Sequence, residues 1–389
     1  MNNSLTLTPI LEDSNKQTHD KNLVNIKQII VLCAELFLAL PLGFILLKFN
    51  IGGIAWIFGG IIAGAVVFQS YRVLYEHTPK LNRTARKIGM VLVGLAIGFS
   101  NAHANLNNVA SGIPVFTLLT IFMLVSGSII GYIYSRISKT NILTAMLATV
   151  PGGVGVMSSI AADYGRNVTL VALVQVIRVT SVVLLMPMIA RASLTDNFVN
   201  QQPISLNVAL FPLRASDITF LLLALLLALV VINLAVLCKI PAAHFFSALL
   251  VGMSFNTLVN VLPFVSDVDF MPPRIINILG QLLLGVTIGE YWGEKPNLGK
   301  KSIAYALICS GMTLLAGIFA ALLAWELTPW DWLTCLLVTA PGGSAEMILV
   351  ALSLNHNVEI VTAGHLIRLL AINCSLPLWI FLFRRFDNM

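Results

Sequence analysis

Arg178 and Arg368 stand 190 positions apart, and each is the eleventh residue of a long apolar run. A helix rises about 1.5 Å per residue, so each guanidinium lies roughly 15 Å from the nearer end of its helix. A side chain of about 6–7 Å does not reach water from that depth. Arginine at the centre of a membrane helix costs about 2.5–3.5 kcal/mol and faces a cavity or a partner. One reading is a pair of cations, one per run, that bind a carboxylate or similar oxyanion through the guanidinium fork. The structural alternative is pairing with an intramembrane acid or with freed backbone carbonyls.

Such carbonyls are expected nearby. Pro151-Gly152-Gly153 and Pro341-Gly342-Gly343 interrupt two apolar segments. Proline removes a backbone donor, and the glycines admit dihedrals that other residues avoid. In hydrocarbon the freed groups must be satisfied by protein or by cavity water. The residue after each break starts a half-helix, whose free N–H groups and positive dipole end suit an anion. Candidate binding residues there are Gly152, Gly153, Gly342, Gly343 and Ser344, with Glu346 one turn in. Glu346 offers proton uptake, cation binding, a salt bridge to Arg368 or a favourable first-turn acid; the matching residue in the first half is Val156. Gln175 and His365 each precede an arginine by three residues, which puts them on the same helix face. His365 could relay a proton, but a polar neighbour that helps satisfy the arginine is the favoured reading. Asn167 and Asn357 precede apolar helices and read as N-caps. Glu35 is a weaker candidate, within reach of an interface.

These residues need a frame that holds them in a bilayer. The chain has 389 residues, 58% hydrophobic and 10% charged, against roughly 25% charged for a soluble domain. That excludes an ordinary soluble enzyme or DNA-binding domain. Twelve apolar segments are expected, at 28–47, 51–69, 86–99, 113–136, 141–162, 168–191, 216–238, 242–263, 274–292, 302–326, 331–352 and 358–383. Residues 1–27 read as a disordered cytoplasmic tail, 28–191 as a first membrane repeat, 192–215 as a connecting loop, 216–383 as a second repeat and 384–389 as a short tail. Cys33, Cys238, Cys309, Cys335 and Cys374 all lie in apolar segments without a CxxC pair, so no disulfide framework is expected. Histidines in no HxH or HExxH arrangement, and no Walker A pattern, imply no metal or cofactor.

The duplication is legible. Shifted by 190, residues 151–187 align without a gap on 341–377 and coincide at eleven positions, among them Pro151/Pro341, Met157/Met347, Asn167/Asn357, Arg178/Arg368 and Pro187/Pro377. With one residue of slippage Arg83, Gly89, Gly94 and Gly98 match Arg274, Gly280, Gly285 and Gly289. Setting aside the two central arginines, 21 of the 23 Lys and Arg remain for orientation. If all twelve segments cross, the faces carry 15 and 6, and the halves are parallel. If the two Pro-Gly-Gly segments enter and leave on one side, the faces carry 17 and 4, and the halves are inverted. Positive charge collects on the inside, which slightly favours the second. The expected fold is therefore all-α and polytopic, with about 10–12 transmembrane segments in two homologous halves and broken helices, a common transporter design.

The segments ATVPGGVGVMSSIAADYGRNVTLVALVQVIRV and LVTAPGGSAEMILVALSLNHNVEIVTAGHLIRLL resemble the paired signatures of the AbrB-type duplicated bacterial membrane proteins. Members carry labels such as regulator of aidB expression and proposed ammonia monooxygenase. They are distinct from the small DNA-binding regulator that shares the name. The resemblance implies inverted transporter-like halves and places the family motif on Pro151, Gly152, Gly153, Arg178, Pro341, Gly342, Gly343, Glu346 and Arg368. The expectation is an inner-membrane secondary transporter of a small organic anion, coupled to protons or Na+, and not an enzyme. A membrane regulator of gene expression without transport is the alternative, and a monooxygenase is disfavoured by the absent ligand clusters. Expected partners are the anion, the coupling ion, the lipid bilayer and further copies of the chain, with no nucleic acid.

Overall fold

Each Pro-Gly-Gly divides one apolar run into two short helices, so the twelve expected segments become fourteen α-helices among the described residues. The structure, a computed structural model, describes residues 8–49, 52–75, 81–102, 106–192, 214–238, 240, 242–261, 268–293, 299–354 and 356–387. In chain order the helices are α1 (Thr8–Lys48), α2 (Ala55–Tyr75), α3 (Arg83–Ser100), α4 (Leu106–Ser138), α5 (Ile142–Thr149), α6 (Val154–Asp163), α7 (Val168–Ala192), α8 (Ala215–Leu237), α9 (Ala243–Asn260), α10 (Arg274–Gly293), α11 (Lys300–Leu327), α12 (Trp332–Thr339), α13 (Ser344–Ser353) and α14 (Val358–Asp387). A short 3₁₀ turn, Gly52–Ile54, precedes α2. Among the described residues there is no strand. Eight helices among those residues are long and apolar enough to cross a membrane, and the protein is a multi-pass, all-α membrane protein. The helix of the first span begins at Thr8, well ahead of the apolar run, and α14 continues to Asp387. Most of the expected 192–215 connection lies outside the described residues.

The order repeats, seven helices and then seven, so that α1–α7 correspond to α8–α14. Two bundles result. In one, α2 packs along α10 and α3 along α9, so each half supplies the partner for the other. The matched glycines explain why. A Cβ on Gly285 would stand 3.0 Å from the Gly60 Cα, and one on Gly252 would stand 2.9 Å from the Gly98 Cα. Backbone thus meets backbone at both crossings, the small-residue packing that lipid-embedded helices favour. In the other bundle, α4 packs on α11, α7 on α11 and α14 on α4.

The broken segments hang inside this second bundle. α12 and α13, of 8 and 10 residues, are about 12 and 15 Å long, half of a 30 Å hydrocarbon core each. Asp331, at the start of α12, accepts a hydrogen bond from Asn357 and lies 2.6 Å from His356, both at the start of α14. α13 ends just before those residues. The foot of α12 and the end of α13 therefore share one face, and the segment is a re-entrant hairpin with Pro341-Gly342-Gly343 at its tip. Contacts from Gln175 and Arg178 to the end of α5 mirror those of the second hairpin. With two hairpins, five longer helices per half remain. α3 and α9 are not among the eight, but they are the repeat mates of α10 and α2, which are. An odd number of crossings turns the second half over, the inverted arrangement with the 17-to-4 charge division.

Candidate functional site

The two hairpin tips are held from below by the central polar residues of α7 and α14. A helix leaves its last four carbonyls without intrahelical donors, and at these tips the long helices supply them. Arg178 Nη1 donates to the Thr149 carbonyl at 2.9 Å and Nη2 to Gln175 Oε1 at 2.7 Å. Gln175 Nε2 in turn donates to the carbonyls of Leu147 and Val150, each at 2.9 Å. In the second half Arg368 Nη1 donates to the Ala340 carbonyl at 2.8 Å and Nη2 to His365 Nδ1. His365 Nε2 lies 2.9 Å from the Leu337 carbonyl. A carbonyl only accepts and a guanidinium only donates, so these bonds fix the neutral Nε2–H form of His365. Both arginines sit at helix C-termini, where the dipole favours a cation.

Arg178 and Arg368 are 2% and 5% exposed, which leaves the protein's own groups as their partners. They therefore position the tips. Arg178 Nε has no hydrogen-bond partner. Glu346 is 3% exposed and makes no ion pair with Arg368; its carboxylate folds back over Gly343, where a Cβ would overlap it. It thus stands as a first-turn acid on the N-terminus of α13. The first tip differs. Gly153 has φ +83, a conformation that requires glycine, whereas Gly343 has φ −67; neither half-helix has a side-chain cap. Val156, the counterpart of Glu346, is 45% exposed. Gly152 and Gly342 pack their tips, the first under Met157 and the second against Val182 of α7. Ser344 opens α13 beside them.

The surroundings differ in the same sense. α13 packs against α3 and the 3₁₀ turn of the other bundle, whereas α6 packs mainly on α5 and α7. A cavity of about 390 Å³ opens between the bundles at the foot of the second hairpin, lined by Ser100, Asn101, Met271, Asn357 and Glu359 among others.

Several positioning residues were not singled out in the sequence. Thr149 and Thr339 each donate to a glycine carbonyl of the neighbouring long helix, Gly127 and Gly317, both at 3.0 Å. Asn141 caps α5 through the Thr144 N–H, and Asp331 caps α12 through the N–H groups of Leu333 and Thr334. All obey the 190-residue shift, so extending the alignment upstream of Pro151 would have found them. Asn167 caps α7 as expected, accepting from the Leu170 N–H. Asn357 begins α14, but its side chain turns to Asp331 and Thr334.

Asp331 lies outside the spans and predicts an acid response. Burial pushes its carboxyl up, but hydrogen bonds from His356 and Thr334 and the His356 charge outweigh this and hold it well below the ordinary 3.8. A lowered carboxyl contributes stability that is complete above the ordinary value and disappears as pH falls through the folded-state value. Amide exchange at Leu333 and Thr334 is therefore expected to accelerate on acidification below about pH 3.8, and to lose that acid dependence in Asp331→Asn.

A family model described as "Transition state regulatory protein AbrB" matches residues 56–384. The uncharacterized protein YhjN of Bacillus subtilis (strain 168) is 27% identical over 344 residues, 86% of this chain and 88% of that one. A protein of Escherichia coli (strain K12) named as a proposed regulator, AbrB, is 26% identical over 326 residues, 83% of this chain and 88% of that one.

Proposed function

The chain belongs to the AbrB family of duplicated membrane proteins, and on that footing we propose that it is a secondary transporter of a small organic anion in the bacterial inner membrane. The observation that carries this reading is the pair of re-entrant hairpins, one from each half, whose tips are held at the depth of two buried guanidinium groups. Neither cation is in an ion pair with a carboxylate in the described structure; carbonyls and neutral side chains hold them. Neutral acceptors leave the centre of the bundle positive, and in a low-dielectric interior such a field favours an anion. The anion meets the exposed N-terminus of α6 at Gly153–Val156, while Glu346 occupies the matching place on α13 as a built-in carboxylate. The arginines shape and charge the site without reaching into it. A proton or Na+ gradient drives the movement.

Uptake of labelled mono- and dicarboxylates into proteoliposomes tests this. Val156→Glu places a carboxylate at the open tip, on an exposed position where folding tolerates it, and is expected to lower uptake at least tenfold. Uptake no greater than in protein-free liposomes for every anion tried, or a Val156→Glu variant as active as the parent, overturns the proposal. The name of the E. coli relative supports a second reading, an influence on gene expression. A transcript change that persists in a folded, transport-dead variant would favour it.

A further inference from the structure

Glu35 is on α1, eight residues inside the span that begins at Lys27. It is wholly buried, and neither carboxylate oxygen has a hydrogen-bond partner. α1 packs against α2 and α10 there, within a cluster that includes Ala39, Trp56, Leu282 and Val286. Glu35 lies one turn before Ala39 and Glu290 one turn after Val286, and those two residues share that cluster, so the packing of α1 on α10 puts both carboxylates at one seam. Glu290 is 2% exposed, and its Oε2 accepts the Asn82 N–H at 2.8 Å. α2 carries Tyr71, Arg72 and Tyr75 in its last two turns, and α3, which also packs on α10, carries Arg83, Arg86 and Lys87 in its first two. A charged carboxylate without a donor is strongly disfavoured in an apolar interior, and a second negative charge beside it adds to the penalty. The repeat does not preserve this pair. In the repeat-related position α8 carries no acid beyond Asp217 at its start, and Phe99 stands where Glu290 does.

We propose that Glu35 and Glu290 form a proton-binding site between α1 and α10, with one proton held by the pair. A proton removes one of the two charges and needs no coordination shell, which the apolar neighbours could not provide. The site belongs to the bundle without hairpins. It goes beyond the transport reading and stands whether or not an anion is moved.

Dicyclohexylcarbodiimide reports such a proton. The carboxyl oxygen bonds to its central carbon while the carboxyl proton passes to a nitrogen, and the O-acylisourea rearranges to a stable N-acylurea. Full-length protein in nanodiscs at neutral pH, analysed by peptide mass mapping, is expected to carry the adduct on Glu35 or Glu290, with slower labelling at alkaline pH. Infrared spectroscopy is expected to show a protonated carboxylic acid band that Glu35→Gln removes. No adduct on either residue, while another buried carboxyl such as Glu346 is labelled, would overturn the proposal. So would protection by excess Na+, which would make the occupant a metal ion. Because the labelling uses the unaltered chain, a variant that fails to fold does not spoil the test.

Discussion

Replacing Arg368 with alanine unpins the second hairpin. The Ala340 carbonyl and His365 Nδ1 both lose their donor, and each buried unsatisfied group costs about 1–3 kcal/mol. The expected loss is roughly 2–6 kcal/mol of local stability, enough to let the tip open. Cys335, fully buried on α12, provides the readout. Its thiol is expected to resist maleimide in the parent protein and to react in Arg368→Ala at least tenfold faster, with anion uptake lost. Arg368→Lys should fall between the two, because a single ammonium lacks the planar fork that bridges carbonyl and ring nitrogen. Unchanged Cys335 protection in a folded Arg368→Ala protein would show that the hairpin is held by other contacts.

Gly343→Ala and Gly153→Ala are expected to fail for different reasons, although the positions match. At Gly343 the new methyl would overlap the Glu346 carboxylate, the end of a buried side chain that must swing aside. Overpacking of this kind costs about 1–3 kcal/mol, and displacing the carboxylate adds to it. Removing the obstacle in Gly343→Ala/Glu346→Val should restore much of the loss, a coupling of about 1–2 kcal/mol in a double-mutant cycle. At Gly153 nothing lies within 4 Å of a Cβ, but φ is +83. The strain there is in the backbone, about 1–2 kcal/mol, and no change at Val156 should relieve it. Thermal unfolding of these variants and of Glu346→Val alone in one detergent measures both effects. Additive losses at 343 and 346 would rule out the clash.

The features most legible in the sequence were those that duplication marks twice. Pro-Gly-Gly, Arg178 and Arg368 stood out because chance seldom matches such residues in an apolar chain. The glycine spacing in α3 and α10 was visible too, although its partners on α9 and α2 were not, since they lie in the opposite half. Whether a broken segment crosses or returns could not be read, because two half-helices of 8 and 10 residues add up to one membrane-length run. The contact between Asp331 and Asn357 decides it, and that is a matter of packing. Sequence likewise could not tell a guanidinium awaiting a guest from one bonded to carbonyls. Depth fixes the need for a partner and leaves the partner's identity to the fold. Glu35 looked marginal for the same reason, because Glu290 lies far along the chain.

The crossed pairing of α2 with α10 and of α3 with α9 has a consequence for biosynthesis. The glycine faces of the earlier helices have nothing to close upon until the later ones have left the ribosome. During translation the N-terminal portion must wait in the bilayer as loosely associated rods, with its tight seams unformed. The two portions expressed as separate polypeptides should therefore need each other to mature, and a truncated product should be an early target for membrane proteases.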